Sequence, residues 1–122
     1  MMTSRPDIQV RRVYDPPDKQ DGTRVLIDRV WPRGVSKADA HIDEWPKEIT
    51  PSTDLRHWFH GEHASYAEFR RRYLAELKAP ERADELERLR AEARTHTVTL
   101  VTSVREPERS HAAVLAERLR GR

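Results

Sequence analysis

The segment Asp28-Arg29-Val30-Trp31-Pro32-Arg33-Gly34 constrains this chain more than any other. It follows Thr23 to Ile27, an aliphatic and β-branched run that suits a strand inside a sheet. An inner strand that opens straight into an acid, two arginines and a tryptophan, in a turn punctuated by Pro32 and Gly34, makes poor core. It suits the carboxyl edge of a sheet, where α/β proteins present charged groups to ligands.

The rest of the pattern supplies that strand with partners. Ile8 to Tyr14 reads as a first strand, ended by Asp15-Pro16-Pro17-Asp18, and Asp21-Gly22 is a turn signal. Ser36, with Asp39 three residues on, resembles a capping box and predicts a short helix from Lys37. Pro46 and Pro51 forbid a long helix between 43 and 53. Ser52 or Thr53 then caps a short helix carrying Leu55, Trp58 and Phe59, which Gly61 ends. Ser65 and Glu68 open a helix with Tyr66, Phe69, Tyr73 and Leu77 on one stripe. Pro80 separates it from a second amphipathic helix with Ala83, Leu86, Leu89 and Ala93 inward. Thr97 to Thr102 is a third strand. Glu106-Pro107-Glu108 opens a last helix whose buried stripe is Ala112, Leu115, Ala116 and Leu119. The order β-β-α-α-α-α-β-α predicts an α/β fold: a small, mainly parallel sheet of about three strands with helices on both faces. An α+β arrangement, with an N-terminal hairpin of strands one and two, is the alternative.

Composition narrows the function classes. At 122 residues, 1–122 is expected to be one domain. Hydrophobic and charged residues each make up 36% of the chain, so the core must be compact and the surface heavily ionised. No run approaches the roughly 18–20 apolar residues of a membrane span, and Met1 to Asp7 lacks the apolar segment of a signal peptide. A cytoplasmic location without membrane attachment is the simplest expectation. The absence of cysteine excludes disulfides, thiolate catalysis and cysteine-ligated zinc. A net charge of +2, with no basic arm, argues neither for nor against nucleic acid.

Several segments together resemble the YeaO-like family (DUF family 488). They are Arg12-Val13-Tyr14-Asp15, Asp28 to Gly34, Asp43-Glu44-Trp45 with Lys47-Glu48-Ile49, and Pro51-Ser52-Thr53-Asp54-Leu55-Arg56. The resemblance continues through Phe69 to Leu77 and into 98–119, and so covers nearly the whole chain. It implies the fold and a functional edge, but no reaction. The chain departs from the family pattern twice. The third strand runs into Thr102-Ser103-Val104-Arg105, where a Tyr-Ser-Ala-Lys-like or Tyr-Ala-Ala-Lys-like segment is usual. The last helix opens with Ser110-His111 in place of Asn-His, keeping the histidine and losing the amide.

The candidate ligand-binding residues are Asp28, Arg29, Trp31, Arg33, Gly34 and Arg105, with His111 as the candidate catalytic group. Arginine forks suit bidentate capture of phosphate or carboxylate. Gly34, near a helix start, leaves backbone N–H groups open to an anion. Trp31 could stack on a ring, and Asp28 could orient the arginines. In a parallel sheet Arg105 and His111 face the same side, where His111 could transfer a proton. The plainer reading has Asp28 bracing the turn, Trp31 in the core, Ser110 as a helix cap and His111 as a satisfied side chain. His57, His60 and His63 do not share a helix face, and no metal or cofactor is expected. Arg70-Arg71-Arg72 is a basic triplet better suited to a solvated face than to nucleic acid. The first expectation is a small enzyme acting on an anionic substrate bearing a phosphate or a nucleotide. The alternative is a non-catalytic module that binds a nucleotide or nucleic acid at the same edge.

Overall fold

The computed structural model describes residues 5–121; Met1 to Ser4, part of the segment read for a leader, lie outside it, as does Arg122. Three strands form one parallel sheet in the order β1-β3-β2: β1 (Ile8–Arg12), β2 (Thr23–Leu26) and β3 (Val98–Thr102). Val10 and Val25 both sit level with Leu100 of β3. The first two strands do not pair with each other. The hairpin alternative fails because the last strand in sequence inserts between them, and its all-buried side chains make it the natural centre. The chain can make this insertion because Gly22 (φ +62°) takes the turn into β2. A Cβ there would lie 2.0 Å from the Thr97 carbonyl oxygen, the group that Thr23 N–H bonds at 3.0 Å.

Among the described residues five α-helices accompany the sheet: α1 (Lys37–Ala40), α2 (Thr53–Phe59), α3 (Tyr66–Glu76), α4 (Pro80–Ala93) and α5 (His111–Leu119). Ser36, Ser52, Ser65 and Ser110 cap α1, α2, α3 and α5 through their hydroxyls. The two sheet faces are covered unequally. Leu55, Phe69, Tyr73, Leu86, Leu89, Leu115 and Leu119 from α2–α5 pack with Ile8, Val25, Ile27, Val98 and Leu100 in the main core. The other face is closed by α1 and its flanking loops, where Trp31, Val35 and Ile42 pack on Val13, Ala40 and Val101. Arg24 is buried there too. It is bonded to Asp21 at 2.5 Å and to the Ala40 carbonyl at 3.1 Å, and so ties α1 to the sheet. No helix among the described residues is long and apolar enough to cross a membrane.

All three strands point the same way, so their carboxyl ends share one edge. The segment after β2 and the segment joining β3 to α5 both begin there.

Candidate functional site

Asp28 stands one residue past the last β2-type hydrogen bond, that of Ile27 N–H to the Val101 carbonyl. Its carboxylate accepts four hydrogen bonds from the other segment: Thr102 Oγ1 at 2.6 Å, Ser103 N–H at 2.8 Å, Ser103 Oγ at 2.7 Å and His111 Nε2 at 3.1 Å. Burial opposes its ionisation. The hydrogen bond and charge of His111, with the hydrogen bonds of Thr102 and Ser103, outweigh that and lower its pKa from 3.8 to about 2. Asp28 therefore orients a histidine. It does not orient the arginines, and no ion pair to Arg29 or Arg33 braces the turn.

His111 is the first residue of α5. Its Nε2 also lies 3.0 Å from the Ile27 carbonyl oxygen. Both neighbours of Nε2 are acceptors, so Nε2 carries a proton. Nδ1 has no hydrogen-bond partner among the described residues and is not among the sealed, unpartnered atoms. The imidazole is thus fixed at one nitrogen and open at the other. Ser110 Oγ accepts from Ala112 N–H at 3.0 Å and donates to the Pro107 carbonyl at 2.8 Å, so this hydroxyl is a cap and not a free nucleophile.

A crevice of about 390 Å³ opens over this pair. Asp28, Arg29, Val30, Trp31, Pro32 and Arg33 line it from one side, and Ser103, Val104, Ser110 and His111 from another. Pro51, Arg56, Phe59, His60 and Phe69 close it. Of the residues singled out from sequence, Asp28, Arg29, Trp31, Arg33 and His111 meet in this wall. Gly34 and Arg105 do not; both are exposed. Gly34 adopts φ +77° and serves the turn into α1. Trp31 contributes an edge of the wall but is chiefly a packing residue. Its indole N–H donates to the Val35 carbonyl at 2.7 Å, and its ring meets Trp45 edge-on at 5.5 Å. Trp45 in turn donates to the Asp28 carbonyl at 2.7 Å, and Tyr14 to that of Arg33 at 3.3 Å. These bonds hold the loop to the edge of the sheet.

The charges are distributed unevenly. Many arginines elsewhere are tied to acids: Arg24 to Asp21, Arg70 to Glu117, Arg71 and Arg72 to Glu68, Arg82 to Glu76, Arg88 to Glu44 and Glu85, and Arg90 to Glu87. Others, among them Arg12, Arg105, Arg109 and Arg118, enter no ion pair with the described residues but lie outside this crevice. Among the described residues Arg29, Arg33 and Arg56 enter no ion pair. Arg29 reaches only the Pro51 carbonyl, at 3.2 Å, and Arg33 and Arg56 spend no side-chain donor at all. A larger and more open hollow between β1 and α5 mixes both signs, with Arg11, Arg12 and Arg120 beside Asp15 and Glu108. The smaller crevice instead gathers three guanidinium groups around a carboxylate whose acceptor positions are already used.

Residues 7–122 match the family profile described as the inactive DUF488-N3 subclade. The chain belongs to this family. It is 52% identical over 114 residues to the uncharacterized protein YeaO of Escherichia coli (strain K12), covering 93% of this chain and 97% of the relative. Uncharacterized proteins of Mycobacterium bovis and of Mycobacterium tuberculosis strain H37Rv are each 44% identical over 115 residues, covering 94% of this chain and 95% of the relative. No solved structure matches the chain. The YeaO-like resemblance read from Asp28 to Gly34 and its companion segments is therefore correct.

Reading the sequence for function passed over Arg56 and Phe59, and weighed His60 only as a metal ligand with His57 and His63. Arg56 and Phe59 lie three apart on α2, and His60, four from Arg56, is its C-terminal cap, which places all three on one side of that short helix. Ser103 was passed over as well, noted only as a departure from the family pattern. A hydroxyl pair, Thr102-Ser103, directly after an inner strand was the available signal for a buried acceptor nearby.

The Asp28 carboxylate sets an acid limb for stability. Its folded pKa lies below the unfolded value of 3.8, so its stabilisation is complete above that value and is lost as pH falls through about 2. A depression of nearly two units corresponds to about 2 kcal/mol. Urea denaturation of the native chain should lose about that much between roughly pH 5 and pH 2, and Asp28→Asn should flatten that part of the profile. An unchanged slope in Asp28→Asn would show that other carboxylates carry the acid limb.

Proposed function

We propose that the chain is a non-catalytic module that binds a small phosphate-bearing anion in the crevice over Asp28 and His111. The observation that carries this reading is the set of three arginines, Arg29, Arg33 and Arg56, left without carboxylate partners around an enclosed space. Three guanidinium groups beside a single carboxylate, that of Asp28, leave a surplus of positive charge, and an anionic ligand relieves it through charge-assisted, bidentate hydrogen bonds. The family's description as inactive supports binding over turnover. So does the wall itself, where the hydroxyls of Ser103 and Ser110 and the carboxylate of Asp28 are all engaged.

Catalysis by His111 is the competing reading, and the Asp28–His111 pair favours it. A carboxylate that fixes one imidazole nitrogen leaves the other oriented for proton transfer. A polymeric nucleic acid is less well supported. Arg70, Arg71 and Arg72, the nearest thing to a basic track, are paired with Glu117 and Glu68.

Titration with inorganic phosphate and AMP, followed by calorimetry or amide NMR shifts, tests the reading. Saturable binding is expected, weakening with added salt, with shifts centred on Arg29, Arg33, Arg56 and His111. Release of phosphate from either AMP or phenyl phosphate should stay at background. Turnover abolished by His111→Ala would favour the enzyme. No binding at all would remove the proposal.

A further inference from the structure

We infer that the anion bound in this crevice is a phosphate monoester whose organic part is a flat ring, selected by stacking on Phe59. The inference rests on the anion-binding reading above and adds the identity of the rest of the ligand.

Volume comes first. The crevice holds about 390 Å³. A water molecule takes up about 30 Å³, so a bare tetrahedral oxyanion would leave most of the space unfilled. Small-molecule sites span roughly 300–1,000 Å³, and this crevice has room for a single ring system beside the anion. Beside the arginines the lining is apolar: Val30, Pro32, Pro51 and Phe59, with Phe69 stacked on Phe59. Phe59 is stacked on Phe69 with ring centroids 4.2 Å apart and planes 21° apart, and Phe69 is buried in the main core. The Phe59 ring is therefore backed by packed core, and the part of it that Phe69 leaves uncovered borders the crevice.

Hydrogen-bonding capacity excludes a polyol. Sugar hydroxyls that leave water need acceptors as well as donors. Few acceptors are left here: Asp28 already receives four hydrogen bonds, Ser110 Oγ already accepts from Ala112 N–H, and Ser103 Oγ, oriented by its bond to Asp28, is the one wall hydroxyl that accepts nothing. The chain contains no asparagine, and Gln9 and Gln20 are not in the wall. Open side-chain acceptors in the wall are confined to Ser103 Oγ and the imidazole nitrogens. A ring face needs no such partner, because stacking is tolerant of ring identity. Polar groups on the ring edge must then face the solvent at the mouth, so the site reads a ring but not which ring it is. Nucleoside monophosphates and simpler aryl phosphates share this chemistry.

Four ligands on the full-length chain test this: inorganic phosphate, ribose 5-phosphate, phenyl phosphate and AMP. Phenyl phosphate and AMP should bind about tenfold or more tightly than inorganic phosphate, the gain expected of one stacked ring. Ribose 5-phosphate should match inorganic phosphate. Phe59→Leu, which keeps an apolar side chain, should abolish the preference of the two ring-bearing ligands over inorganic phosphate; Phe59→Tyr should keep it. Should either variant fail to fold, the ranking of the four ligands on the native protein decides alone. Ribose 5-phosphate binding as well as phenyl phosphate would overturn the flat-ring inference and leave the anion reading intact, as would AMP binding where phenyl phosphate does not. Failure of all four would overturn both.

Discussion

Asp28→Ala is expected to destabilise the domain by about 3 kcal/mol, a far larger effect than its place in a loop suggests. The substitution removes one acceptor and leaves four donors behind: Thr102 Oγ1, the Ser103 amide and hydroxyl, and His111 Nε2. These groups lie between the ends of β2 and β3 and the start of α5, where water reaches them poorly; the Asp28 side chain itself is only 12% exposed. Asp28→Asn keeps the shape but turns an amide donor toward groups that are donors already, so most of the loss should remain. The urea midpoint of Asp28→Ala should fall on the order of 1–2 M. Combining it with His111→Ala should cost less than the sum of the two single losses, because each removes the partner of the other. A loss below about 0.5 kcal/mol would mean that the pair is not what joins the two segments, and the crevice would lose its fixed base.

This dependence also marks where the sequence ceases to be legible. The strands, the serine caps and the amphipathic stripes of α3, α4 and α5 follow local rules of period and capping, and residues such as Ser65, Tyr73 and Leu89 take the places those rules assign. The carboxyl edge was visible too, since an inner strand ending in Asp28-Arg29 has few other uses. The pairing of acid and base was not. Asp28 and Arg29 are adjacent in sequence, yet the carboxylate bonds residues 74 to 83 positions away. Nothing in local sequence distinguishes an aspartate that will meet an arginine from one that will meet a histidine. Arg24 was hidden for the same reason. It alternates with apolar neighbours like any outward strand residue, but α1 covers it and Asp21 neutralises it. Arg56 and Phe59 were obscured differently: α2 has only seven residues, so its stripe of Leu55, Trp58 and Phe59 reads as core before it reads as wall.

Replacing the unpaired crevice arginines should move binding and stability in opposite directions. Arg33→Gln with Arg56→Gln is expected to weaken phosphate binding about a hundredfold, the loss of roughly two charge-assisted contacts. The unliganded domain should be as stable as the native chain, or more stable by about 0.5 kcal/mol, because two like charges leave a site whose one carboxylate, Asp28, is already engaged by Thr102, Ser103 and His111. Arg88→Gln makes the contrast. Arg88 touches Glu44, Glu85 and Glu92, so its loss should leave binding unchanged and stability equal or lower. Calorimetric titration and thermal midpoints on the same three proteins read both quantities. A chain selected only for stability would not keep cations where they repel; a chain that binds anions must. If the double variant instead unfolds easily and binds phosphate as before, then Arg33 and Arg56 are structural, and the anion must be held elsewhere.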